Sequence, residues 1–154
     1  ANQNKARAWL YGWQGGFTLR PATYLSLYSR ITYTHGRYKQ DDKSTVPLDH
    51  IPPVFGKTGI TGRYKFLESE VYLLYNGKKK LKDYNPFGED NLQYATAEGM
   101  PGWHTLNIST SCTLRKQFIL QVALENVLDT NYRVFASGIC GAGRNLVVKV
   151  KAGF

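Results

Sequence analysis

Residues 104–114 read HTLNISTSCTL, and this stretch decides the fold class. Its even positions carry mostly apolar side chains such as Leu106 and Ile108, whereas its odd positions carry polar side chains such as Asn107 and Ser109. A period of two residues is typical of a β-strand that has one apolar and one polar face. The stretch therefore predicts a strand whose two faces meet different surroundings.

The same alternation recurs along most of the chain. Segments of this kind cover residues 8–20, 25–33, 55–66, 70–78, 104–115, 118–125 and 145–154. We expect seven strands of about 10–14 residues. This strand length exceeds the ~5–6 residues common in globular proteins and is sufficient for a tilted strand to cross a bilayer, which takes ~9–11 residues. The pattern predicts an all-β fold, an antiparallel up-and-down meander of about seven long strands.

The connections between these segments alternate in length. They are short near residues 21–23, 67–69 and 116–117, and long near residues 35–53, 79–102 and 128–143. Outer-membrane barrels have short periplasmic turns and longer extracellular loops. Counting strands back from the end then places the C-terminus in the periplasm and residue 1 on the extracellular side. Because bacterial single-chain barrels have even strand numbers, seven strands indicate the last part of a larger barrel.

Alternation alone leaves open which face of the sheet is the inside. In a soluble, calycin-like ligand-binding barrel the apolar set would point inward, and charged residues such as Arg30 and Arg63 would face solvent. Three observations favour the membrane barrel: the strands are long, the chain ends on an apolar-parity aromatic residue, and aromatic residues cluster near strand ends as in interfacial girdles. These aromatic residues are Trp9, Tyr24, Tyr33, Tyr64, Phe66, Trp103 and Phe118.

Composition excludes several other classes of protein. The 154 residues suffice for one domain, 42% of them are apolar, and the formal net charge is +9. No apolar run approaches the ~18 residues of a transmembrane helix, and we expect no signal peptide in residues 1–5, which lack an apolar core. The positive charges are scattered over seven strands and form no single stripe, so no nucleic-acid partner is expected.

The residue pattern predicts no catalytic, cofactor-binding or metal site. Asp49 and His50 resemble an acid–base pair, but no nucleophile accompanies them, which favours a structural role. His35 and His104 stand alone without metal-ligand spacing, and the two cysteines have no C-x-x-C arrangement. The basic run at residues 78–82 (KKKLK) is compatible either with binding of lipopolysaccharide phosphates or with a solvated charged rim.

The end of the chain resembles the terminal strand of Gram-negative outer-membrane proteins. In that strand a C-terminal Phe, preceded by alternating apolar residues, helps the assembly machinery to recognise its substrate. The positions that match this outer-membrane assembly signal are Phe154, Val150, Val148 and Leu146.

Four further segments resemble the TonB-dependent outer-membrane receptors. Residues 47–53 (PLDHIPP) resemble the family's loop-to-strand segment, and residues 99–107 (GMPGWHTLN) its strand entry after a long loop. Residues 124–133 (LENVLDTNYR) resemble its E-N-L-x-D-x-x-Y-R element, and residues 141–145 (GAGRN) the closure of its last loop. The family-like structural positions are Pro47, Leu48, Asp49, Ile51, Pro52, Pro53, Glu125, Asn126, Asp129, Tyr132, Arg133, Gly143, Arg144 and Asn145.

This resemblance implies the barrel wall and extracellular loops of a TonB-dependent importer for a scarce nutrient such as a ferric siderophore, haem or cobalamin. It implies a place in the outer membrane of a Gram-negative bacterium, in contact with lipid and lipopolysaccharide. The family's N-terminal plug domain and earlier strands do not occur in residues 1–154, which would then be the C-terminal portion of the barrel. The rest of the barrel, the plug domain and, through the plug, TonB would be its partners, together with a small nutrient ligand.

Two other classes of protein remain open. One is a complete small outer-membrane barrel with an adhesin or structural role, and the other is the soluble ligand-binding barrel. Neither these alternatives nor the importer involves enzymatic chemistry or a bound cofactor.

Overall fold

The structure is a computed structural model that describes residues 7–40, 42–114 and 117–153. Eight strands form one antiparallel sheet: β1 (Arg7–Ala22), β2 (Leu25–Lys39), β3 (Thr45–Pro47), β4 (Phe55–Tyr64), β5 (Leu67–Asn76), β6 (Trp103–Leu114), β7 (Phe118–Glu125) and β8 (Asn145–Ala152). Two short 3₁₀ helices, Leu81–Asp83 and Leu92–Tyr94, lie between β5 and β6. The predicted all-β, antiparallel fold is confirmed.

The order of strands in the sheet is that of a meander. β1, β2, β4, β5, β6, β7 and β8 are neighbours in this sequence, and β3 pairs separately with the end of β2 through Arg37 and Pro47. The prediction of seven strands missed β3, which lies inside the long connection expected at residues 35–53. Three residues are too few to show a period of two, so the pattern contains no signal for this strand.

Strand lengths and one turn differ from the prediction. β1 and β2 have 16 and 15 residues, whereas β7 and β8 have 8 each, outside the expected range at both ends. The turn expected at residues 67–69 lies at Lys65 and Phe66, where Tyr64 and Leu67 pair directly. Lys65 has a φ of 52°, and this left-handed conformation allows a tight two-residue connection. The alternation of short turns and long loops is nevertheless present.

Burial in the sheet runs opposite to hydropathy. In β5, Glu68, Glu70 and Tyr72 are half-buried. On the other face of the same strand Leu67, Val71 and Leu73 are 37, 44 and 39% exposed. The cross-strand row Leu27–Ile60–Val71–Ile108–Leu124 continues this apolar face over five strands. A water-soluble barrel would cover such a face, so this arrangement favours the membrane interpretation over the soluble one.

The described strands leave two sheet edges unpaired, along β1 and β8.

Most of the aromatic residues expected in the interfacial girdles lie at strand ends. Trp103, however, lies on the polar face, where it pairs with Asn76 and packs against Tyr132 at 4.4 Å between ring centroids. The prediction of Trp103 as a girdle residue is therefore wrong. Within the described ranges, no helix is long and apolar enough to span a membrane.

Candidate functional site

A cluster of hydrogen-bonded side chains lies at the centre of the polar face. The amine of Lys57 is 2.8 Å from Oε1 of Glu70, and the hydroxyl of Tyr28 donates to the same oxygen. The Lys57 amine also lies 3.7 Å from the centroid of the Tyr72 ring. We call Tyr28, Lys57, Glu70 and Tyr72 the Glu70 cluster. It joins three strands, β2, β4 and β5, on one side of the sheet.

Gly59 explains why two tyrosines fit side by side in this cluster. It pairs with Tyr28 on one side and with Tyr72 on the other. A Cβ atom at this position would lie 2.6 Å from the Tyr28 hydroxyl oxygen and 2.8 Å from Cβ of Tyr72. The missing side chain therefore gives both rings room over the polar face.

A groove of about 390 Å³ lies beside the Glu70 cluster, toward the short turns. Its charged lining residues are Arg20, Arg30, Lys57, Arg63, Glu68 and Glu70, so four cations face two carboxylates. Glu68 pairs with Nε of Arg63 at 2.5 Å, and Glu70 pairs with Lys57. Among the described residues no carboxylate pairs with Arg20 or Arg30. The groove therefore presents two uncompensated guanidinium groups, which bind carboxylate or phosphate oxygens well.

A second cluster lies at the long-loop end of the sheet. It consists of Asp49, His50, Lys79 and Asp90, and we call it the loop cluster. The backbone N–H and Nδ1 of His50 lie 3.0 and 3.1 Å from Oδ1 of Asp90. The Lys79 amine donates to the carbonyl of Ile51 and lies 3.9 Å from Oδ2 of Asp90. The loop cluster thus joins the segment after β3 to the long loop between β5 and β6.

Both charged residues at the centre of the loop cluster are inaccessible to water. The side chains of Lys79 and Asp90 are 3 and 1% exposed. Burial lowers the pKa of Lys79, and burial also raises the pKa of Asp90. The aromatic ring of Phe135 lies 4.2 Å from the Lys79 amine and provides part of its stabilisation. Of the two interpretations left open for residues 78–82, the solvated charged rim therefore does not apply to Lys79.

The family-like residues after β7 close the last long loop. Asn126 has a φ of 49°, and its amide group bonds to both backbone groups of Thr130, at 2.9 Å each, and to the carbonyl of Ala142 at 3.0 Å. Its backbone N–H donates to Oδ1 of Asn107 at 3.0 Å. Asn107 is buried, with 3% of its surface exposed, so this position of the polar face is occupied by loop contacts.

The other end of that loop is held by Asp129 and Arg144. Oδ1 of Asp129 accepts the backbone N–H of Arg144 at 2.9 Å, and Nε of Arg144 donates to the carbonyl of Val127 at 3.0 Å. A Cβ atom on Gly143 would lie 2.8 Å from Oδ1 of Asp129, which explains the glycine. Glu125 and Asn145 pair where β7 ends and β8 begins. These residues therefore form the closure of one loop.

Tyr132 and Arg133 lie within the same loop and contact other elements. The Tyr132 carbonyl accepts the N–H of Gly141 at 2.7 Å, and its ring packs on Trp103. The Arg133 guanidinium lies 4.7 Å from the ring centroid of Tyr94 and within 3.6 Å of Sγ of Cys140. Both residues hold the loop against its neighbours.

The segment 47–53 packs against the end of β2. The backbone N–H of Leu48 donates to the Gly36 carbonyl at 2.9 Å, and side-chain atoms of Leu48 and Ile51 would lie 2.7 and 3.4 Å from a Cβ on Gly36. Pro47 ends β3, and Oδ2 of Asp49 accepts the N–H of Glu89 at 2.9 Å. Pro52 and Pro53 line a surface groove together with several of the basic residues at 78–82.

The predicted assembly-signal residues lie on the last strand. Leu146, Val148 and Val150 share the apolar face of β8 and are 65, 59 and 67% exposed. Phe154 lies outside the described residues. The pattern of residues gave no signal for the contacts of Glu70, Lys79, Asp90 and Asn107, whose partners are distant in the sequence.

The fold defines a class of structure, an antiparallel meander with an exposed apolar face and a polar face that carries ion pairs. No protein-family model and no curated protein sequence matches the chain. Among solved structures it is similar to the copper transporter OprC, with a TM-score of 0.79 and 15% sequence identity. The match covers 96% of this chain and 23% of the OprC chain, so this chain spans less than a quarter of the length of that protein. At this identity the likeness shows the fold.

Proposed function

We propose that the chain forms part of the wall and the long-loop surface of an outer-membrane transport barrel. The observation that carries this proposal is the inverted burial of the sheet, in which leucine, isoleucine and valine side chains are exposed while polar ones on the other face are half-buried. Contact with hydrocarbon removes such an apolar face from water, whereas the polar face suits a barrel interior. The OprC-like fold is consistent with this role.

The chain is proposed to be the C-terminal portion of its barrel. Hydrocarbon cannot satisfy the unpaired backbone groups along the edges of β1 and β8, so in a membrane both edges need further strands. The share of the OprC chain covered by the match supports a larger parent barrel. In this proposal the short turns and the C-terminus face the periplasm, and the apolar β8 residues with Phe154 serve assembly.

The proposed cargo is a small nutrient that carries negative charge, such as a ferric siderophore or haem, with cobalamin as a further candidate. The support is the groove in which Arg20 and Arg30 have no carboxylate partner among the described residues. A plug domain and, through it, TonB are the proposed partners for energy coupling, and the chain itself performs no chemical step. Because the similar structure is a copper transporter, an uptake assay should include copper among the substrates.

An uptake assay on cells that express the intact protein tests this function. We expect energy-dependent uptake of one nutrient from a panel of a labelled ferric siderophore, haem, cobalamin and copper. The double change Arg20→Gln with Arg30→Gln should reduce uptake at limiting ligand concentration, whereas Lys43→Gln, an exposed loop control, should not. If the assembled protein transports none of these nutrients, the importer is rejected and a structural or adhesin barrel is favoured. Recovery of the protein in the soluble fraction would reject the membrane assignment itself.

A further inference from the structure

Three side chains of the loop cluster lie close enough to share one ion. Asp49, His50 and Asp90 each offer a ligand atom, and these atoms all lie within 4.8 Å of one another. Two of the residues follow β3 and the third lies in the loop between β5 and β6. The three potential ligands therefore come from segments 40 residues apart in sequence.

Two carboxylate oxygens in this cluster lack hydrogen-bond donors. Oδ1 of Asp90 accepts from His50, but its Oδ2 is buried and receives no hydrogen bond from the described residues. Oδ1 of Asp49 is also buried without a donor, while its Oδ2 is bound by the backbone of Glu89. Because a buried carboxylate oxygen without a hydrogen-bond donor is costly, both oxygens would gain from contact with a cation.

The charges in the loop cluster do not balance without such a cation. Asp49 and Asp90 bring two negative charges when ionised. The Lys79 ammonium supplies one positive charge, and it already donates to the Ile51 carbonyl and lies 3.9 Å from Oδ2 of Asp90. One negative charge is left over when His50 is neutral. A proton on a carboxylate or on His50 can compensate it, as can a metal ion, and of these only a metal ion can contact both carboxylates at once.

We propose that Asp49, His50 and Asp90 bind a divalent transition-metal ion, with Zn²⁺ as the representative ion. One imidazole nitrogen with two carboxylates suits Zn²⁺ and its neighbours, whereas Ca²⁺ requires six to eight oxygen ligands. The His50 side chain is 68% exposed, so the ion enters from solvent. The ion ties residues 49–50 to the 77–102 loop, independently of what the barrel transports.

Zn²⁺ binding to the intact protein in detergent tests the site. The protein, with Cys112 and Cys140 replaced by serine, is stripped with a chelator and titrated calorimetrically with Zn²⁺ alone. We expect one equivalent to bind, and His50→Gln to weaken this binding at least 10-fold. His104→Gln is the matched control, because it removes a histidine from β6 and leaves the cluster intact. Since the His50 side chain is 68% exposed, we expect its replacement to leave the fold unchanged.

A second readout follows the loop itself. Protease cleavage within residues 77–102 should slow when Zn²⁺ is added to the parent protein, and Asp90→Asn should abolish this protection. Equal Zn²⁺ affinity in the His50→Gln variant and its control would overturn the proposal. So would Zn²⁺-dependent protection that persists in the Asp90→Asn variant, because the ion would then act on the loop from another site. Neither readout depends on uptake, so a failure of the proposed transport function is a separate result.

Discussion

Replacing Ile108 with arginine is the most direct test of which face of the sheet meets lipid. Ile108 lies in the apolar row, between Val71 and Leu124, near the middle of strand β6. Arginine at the midplane of a barrel's outer surface costs about 2–4 kcal/mol, or about 30- to 700-fold in the folding equilibrium. We expect the Ile108→Arg variant of the intact protein to lose stability in this range.

The neighbouring Ser109→Arg change provides the matched control. Ser109 is the next residue of β6, on the polar face, where it pairs with Glu70 and Ala123. An arginine there approaches a carboxylate, so we expect a loss well below that of the Ile108 variant. Urea unfolding in lipid vesicles measures both variants. If Ser109→Arg is the more destabilising of the two, the faces are assigned the wrong way round.

Three further outcomes follow from the loops and the Glu70 cluster. Asn126→Ala removes the contacts with Thr130 and should cost about 1–3 kcal/mol for each buried group left unpaired, which would appear as faster proteolysis of residues 126–144. Gly59→Val should destabilise the barrel by about 1–3 kcal/mol in the same urea assay through overpacking, whereas Gly62→Val, in open space, should not. Carboxyl NMR of the metal-free protein should show Asp90 titrating at a higher pH than Asp42, because burial raises the pKa of Asp90 whereas hydrogen bonds from Ser44 lower that of Asp42. The stabilising contribution of Asp90 is therefore complete below its unfolded pKa and is lost as the pH rises through its folded pKa. The stabilising contribution of Asp42 is present above its unfolded pKa and is lost as the pH falls through its folded pKa. A reversed order of the two titration midpoints would contradict both assignments.

The faces of the sheet were predictable because alternation is a local property. Leu106 and Ile108 are two residues apart, and their strand places them on one face whatever its neighbours are. The left-handed turn at Lys65 was not predictable in the same way, since lysine has no preference for positive φ and neighbouring contacts decide the turn. The short strand β3 was likewise not predictable, because its formation depends on pairing with the end of β2.

The candidate site was only partly predictable. The motif around Asn126 was visible because its partners, Asp129 and Thr130, follow within four residues. Lys79 was hidden in a run of lysines, and its burial depends on Asp90 and Phe135, which a linear pattern does not bring together. Long-range contacts of this kind are determined by the packing of loops against one another, and the local periodicity of the sequence does not predict them.

The unusual length of the first hairpin has a mechanical consequence. At about 3.3 Å per residue and a tilt near 45°, a strand as long as β1, with 16 residues, rises about 37 Å. In the proposed outer-membrane barrel the apolar band would be about 25 Å tall, so about 12 Å of hydrogen-bonded ribbon would stand above it. Flexible loops lose conformational entropy when another molecule binds them, but this ribbon has already lost it during folding. In that barrel a macromolecule that approaches from this side would therefore meet a stiff ridge to which β3 is paired.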